Sequence, residues 1–90
     1  MAAGHKEIAA DGVVSANPGQ LVSVLLTAAG DAATVVLYDN ASAASGVVLA
    51  TLKAAANTSA VWQPSIPYVA SNGIYADVTG TTPAAYIVFI

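Results

Sequence analysis

The sequence predicts an all-β protein: a single antiparallel β-sandwich of seven or eight short strands, Greek-key or jelly-roll-like in its connections. Three observations predict it. Short runs rich in Val, Ile, Leu, Thr and Tyr recur along the 90 residues. Gly, Asn, Pro and Asp punctuate them at the spacing of about 8 to 12 residues typical of sandwiches and barrels. Helix signals are weak. The alanine runs at 41–45 and 53–57 are shorter than the ~8 residues of a minimal helix and lack a periodic apolar face. They read as loops or single helical turns, the second also as a strand extension.

Each element follows in order. Residues 1–10, MAAGHKEIAA, carry no strand pattern and are expected to form a flexible, irregular arm ahead of a sandwich domain at 11–90. Strands are expected near 12–16, 20–28, 33–39, 47–54, 58–63, 66–70, 73–79 and 84–90. Asn17-Pro18-Gly19 marks a turn, with Pro18 presetting φ and Gly19 free to take positive φ. Asn72-Gly73 suits a type I′ hairpin, and Gly30-Asp31 a type II′ hairpin joining 20–28 to 33–39. The latter would pair Leu26 with Val35 and Val24 with Leu37, placing Val22, Val24, Leu26, Val35 and Leu37 on one core face.

Composition narrows the functions. The chain is 57% hydrophobic but only 8% charged, with net charge −3, two Lys and no Arg. Phosphate neutralisation needs clustered basic residues, which argues against a nucleic-acid partner. No run approaches the ~18 apolar residues of a spanning helix. A membrane barrel needs at least about eight strands of 9–11 residues, more than this length supplies. The first twelve residues lack the apolar core of a secretory signal. With no cysteine and the single histidine at His5, neither a disulfide nor a His-cluster metal site is available.

Chemistry-bearing residues are sparse. Asp39, Asn40 and Asp77 offer oxygen ligands of the type Ca²⁺ takes, but Ca²⁺ sites gather more carboxylates than this. The expected roles are an Asx turn at Asp39 and Asn40, and pairing of Asp77 with a backbone amide or Lys53. No phosphate-binding glycine loop, thiol nucleophile or Ser–His–Asp set occurs, so no enzyme and no cofactor are expected. Trp62, Tyr68 and Tyr75 would serve a sugar or peptide as one aromatic platform, or fill the core of a small β domain.

The segment Leu37-Tyr38-Asp39, the Ser/Ala/Gly loop after it, the strand VLATL at 48–52 and GIYADVTG at 73–80 resemble small β-sandwich proteins of tailed bacteriophages. The likeness runs from about residue 12 to the final strand. It implies a virion component: a capsid decoration (cement) protein, or a head or tail accessory contacting a phage capsid or tail protein. It also implies location in the virion, and in the host cytoplasm during assembly. Its motifs are structural, and no binding residue follows from them.

Self-association is expected on separate grounds. Several strands are apolar on both faces: Leu25 and Val36 oppose the core set, and Tyr86 and Val88 oppose Ile87 and Phe89. Four charged residues are all that remain after Gly12. A homo-oligomer is therefore expected, with Leu25, Val36, Tyr38, Trp62, Tyr75 and Tyr86 as candidate interface residues. Closed symmetry is the default, and the phage resemblance favours a trimer. The alternative function is a small carbohydrate- or peptide-binding β-module.

Overall fold

A computed structural model describes residues 4–81 and 83–90. Among them are nine strands and no helix. The strands are β1 (Gly4–Ile8), β2 (Gly12–Ser15), β3 (Gly19–Thr27), β4 (Ala33–Tyr38), β5 (Val48–Ala54), β6 (Ser59–Trp62), β7 (Tyr68–Ala70), β8 (Ile74–Thr79) and β9 (Ala84–Phe89). One sheet runs β1-β9-β3-β6, with β7 also on β3; the other runs β2-β8-β4-β5. Every pairing is antiparallel.

β6 pairs with Val24–Thr27 of β3 and β7 with Gly19–Leu21. They are two halves of one edge strand, interrupted at 63–67, where Pro64 and Pro67 cannot donate to a ladder. Counted so, eight strands pair first with last, second with seventh, third with sixth and fourth with fifth. That ribbon, folded over into two sheets, is a jelly roll, and the expected all-β sandwich is confirmed.

The core between the sheets follows the pleat. Leu21, Val24, Leu26, Val35, Leu37, Ile74 and Ile87 are its largest fully buried side chains. Small partners oppose large ones: Leu37 sits beside Ala50 on one flank and Ala76 on the other. This use of alanine as a filler accounts for much of the apolar content without demanding a thick core.

Five local expectations need correction. The Gly30-Asp31 hairpin does not form, because β3 and β4 belong to different sheets, with Leu26 in one and Val35 in the other. Ala28 N–H donates to the Thr58 carbonyl (2.9 Å) and Asn57 N–H to the Ala29 carbonyl (2.6 Å), prolonging the β3–β6 ladder past its expected end. The Thr81 hydroxyl holds the Asp31 carboxylate, so 28–32 is a corner between sheets. Val24, Leu26, Val35 and Leu37 are buried as expected, but a bulge between Leu21 and Ser23 makes Leu21 the core residue and leaves Val22 half-buried.

Asn72-Gly73 is likewise a corner, linking β7 to β8 across the sheets. Gly73 has φ +146°, and a Cβ there would lie 2.6 Å from the Ser15 carbonyl oxygen, so glycine is required by both conformation and space. Gly19 is needed for close approach and not for positive φ: the Ile90 carbonyl occupies the place of its Cβ. Residues 4–8, expected within an irregular arm, form β1 in full register with β9, from Gly4 opposite Phe89 to Ile8 opposite Ala85. Sequence pattern misses this strand because Lys6 and Glu7 interrupt its apolar alternation.

Candidate functional site

Alternation gives each sheet an outer face, and the two differ. On the four-stranded sheet, β2, β8, β4 and β5 align Val13, Tyr75, Tyr38 and Val48 in one row. The next row holds Asp77, Val36 and Thr51, and the next Thr79, Thr34 and Lys53. Tyr38, Val36 and Tyr75 are half-buried among their neighbours. This face is apolar at one end and polar at the other.

Asp11 stands beside Asp77 on this side, its Oδ1 accepting the Val78 N–H at 2.8 Å. Partial burial, then the hydrogen bond and charge of Asp11, raise the Asp77 carboxyl above its ordinary 3.8. The partner of Asp77 is thus another carboxyl group, and the expected amide or Lys53 contact is not made. The pairing joins residues from β8 and the turn before β2, which sequence spacing does not bring together.

On the five-stranded sheet, β1, β9, β3 and β6 align Glu7, Tyr86, Leu25 and Val61. Farther along, the Ile90 and Gln20 backbones exchange two 2.9 Å hydrogen bonds, and Gln20 pairs with Val69. Val61 is 68% exposed and Val69 63%. Val88 lies between these rows, opposite Ser23. The polar members at this border are Glu7 and, beside Val88, His5, both on β1. Glu7 acts on its cross-strand partner: hydrogen bonding and the charge of its carboxylate push the Tyr86 phenol up.

The six candidate interface residues therefore separate into three places. Leu25 and Tyr86 are neighbours on the outer five-stranded face, and Val36, Tyr38 and Tyr75 lie on the outer four-stranded face. Trp62 points inward at the sandwich margin and packs on the core. Val61, Val69 and Ile90 extend the first group. Strict alternation of Val61 against Ala60 and Trp62 would have signalled the first of them.

The aromatic trio does not form one platform. Trp62 and Tyr68 meet edge to face, centroids 5.0 Å apart and planes at 84°, while Tyr75 lies on the opposite sheet. No pocket opens among the described residues.

The oxygen-bearing candidates are also dispersed. Asp39 Oδ1 accepts the Asn72 N–H at 2.8 Å, tying the β4–β5 loop to the Gly73 corner. Asn40 Oδ1 accepts the N–H groups of Ser42 (2.8 Å) and Ala43 (2.9 Å), so the Asx turn expected of Asp39 and Asn40 is made by Asn40 alone. Asp77 lies opposite Val36, three residues and about 10 Å back along the strand from Asp39. No group of three or more His, Cys, Asp or Glu that could hold a metal occurs among the described residues. No family model, curated protein or solved structure matches the chain.

Proposed function

We propose that this chain is a structural protein that works by self-association, as a virion component of the decoration, cement or head–tail accessory type. The observation that carries the assembly half of the reading is surface chemistry. Large apolar side chains stand exposed on a sheet face of a chain with 8% charged residues. Single-chain proteins seldom leave a contiguous apolar patch beyond a few hundred Å² open to water. A 90-residue core is also thin, and association adds burial that it lacks. The virion half rests on the resemblance of residues 37–52 and 73–90 to small phage sandwich proteins, as does the preference for three copies. A jelly roll is compatible with that role and equally with others.

Light scattering behind size exclusion at low micromolar concentration tests the assembly half. The expected mass is a multiple of the 8.9 kDa chain. One-chain mass, unchanged with concentration, overturns the reading and shifts weight to a monomeric carbohydrate- or peptide-binding module centred on Trp62 and Tyr68. The genomic neighbourhood tests the virion half: a major capsid or tail gene alongside supports it, and a metabolic operon overturns it.

A further inference from the structure

We infer that the outer face of the five-stranded sheet, and not that of the four-stranded sheet, is the surface buried against another copy of this chain. The inference rests on the self-association proposed above and names its site.

The first support is the layout of the patch. Val61, Leu25 and Tyr86 form one row across β6, β3 and β9; Val69 and Ile90 flank Gln20 in another; and Val88 lies between them. From pleat and strand spacings the patch measures about 14 Å across the strands and about 16 Å along them. It is polar on two sides, with Glu7 and His5 along β1 and Thr27 and Ser59 beyond Leu25 and Val61, and its third side is the sheet edge formed by β6 and β7. Contiguous apolar side chains flanked by polar ones match the composition of a protein–protein interface.

The second support is size. The chain extends 35 × 25 × 18 Å, so the broad faces of the sandwich are sheet faces. A face of that breadth accommodates the roughly 800 Å² per partner that a stable contact uses. The apolar patch covers about a quarter of that area and runs out to the β6–β7 edge.

The third support is charge, which selects the occupant and the face. A copy of the same chain carries the same net negative charge. The outer four-stranded face presents Asp77 beside Asp11 and, one row on, Lys53, so a copy docked there would have to bury charged groups. The centre of the five-stranded face holds no charge, so an identical face meets it without repulsion. A strongly basic or acidic partner would find no complement there.

The test is a pair of faces compared by mass. Val61→Glu and, independently, Val69→Lys place a charge on exposed positions of the five-stranded face. Thr51→Glu places one on the exposed outer face of β5 as the control. Circular dichroism and a cooperative thermal transition establish that each variant is folded. The expected result is a one-chain mass for both five-stranded-face variants at concentrations where wild type and Thr51→Glu remain assembled. Assembly retained in folded Val61→Glu and Val69→Lys, or lost only in Thr51→Glu, overturns the choice of face while leaving self-association standing. A monomeric wild type overturns both.

Discussion

Where β1 and β2 run along one margin of the sandwich, Ile8 against Gly12 shares the closing of the gap between the sheets with a lysine. Where β5 faces β6 and β7 along the other, it is closed by aromatic rings. At the first margin Lys6, on the inward side of β1, sends its Nζ across to the Val13 carbonyl of the other sheet at 2.8 Å. On the outer side of this margin, Asp11 receives the Val78 amide and stands beside Asp77. At the second margin Trp62 reaches into the core and Tyr68 covers its edge. An inward-pointing lysine on an edge strand is a guard against strand-to-strand aggregation, since pairing with another edge would bury its charge. The aromatic margin carries no such guard on β6 or β7; there the prolines break the edge instead. One margin is built to exclude partners and the other to bury apolar area.

That contrast fixes an order of expected effects, all measured by urea unfolding at one protein concentration because assembly couples to stability. Leu37, fully buried midway between the margins, sets the scale: Leu37→Ala is expected to cost about 2–5 kcal/mol. Trp62→Ala, at the aromatic margin, is expected to cost about 2–3 kcal/mol, less than a fully buried ring because Trp62 is only half-buried. A loss under about 1 kcal/mol would show that the rings decorate the margin and do not close it. Lys6→Ala removes one solvent-exposed hydrogen bond and is expected to cost about 0.5–1 kcal/mol. Its larger signature is a lowered solubility limit, and equal solubility of variant and wild type would argue against the guarding role.

The smallest effect is one of pH. Asp77 binds its proton more tightly in the folded chain than in the unfolded one, since burial and Asp11 raise its pKa. Its favourable contribution is therefore complete in acid, below the ordinary carboxylate range, and is lost as pH rises through the raised value. Asp77→Asn is expected to be more stable than wild type at neutral pH, with the difference shrinking toward pH ~4. A difference that grows on acidification would contradict the pairing with Asp11.

Strand positions were legible in the sequence, and strand partners largely were not. Eight of the expected segments coincide with observed strands to within a residue or two, because alternation and glycine or proline punctuation are local signals. The partner of β3 is not legible because both β3 and β4 are apolar on two faces. Leu26 and Val35 can meet as cross-strand neighbours or across the core, and periodicity is the same in either case. Gly30-Asp31 and Asn72-Gly73 resemble hairpin turns in sequence for the same reason: a tight reversal and a corner between sheets draw on the same residues. The candidate surface was half legible. Leu25 and Tyr86 emerged from two-faced strands, whereas Val69 needed the knowledge that β7 continues the edge begun by β6. Asp11 beside Asp77 lay beyond any local pattern.

The jelly-roll winding has a kinetic consequence. Among the described residues, the β4–β5 pair is the one ladder formed by consecutive strands, closed by a loop that Asn40, Ser42, Ala43 and Ser45 hold by hydrogen bonds. Every other ladder joins segments far apart in the chain, up to β1 with β9. Loop closure for those pairings must come before any contact rewards it, which places such topologies among the slower folders, in milliseconds to seconds. Nucleation at the β4–β5 tip followed by zipping outward through β3, then β2, then β1 is the path that closes the smallest loop at each step. Until β9 settles between β1 and β3, Leu25 on the outer face and Val24 on the core face lack one neighbouring strand, and apolar surface on both faces is open to premature contact.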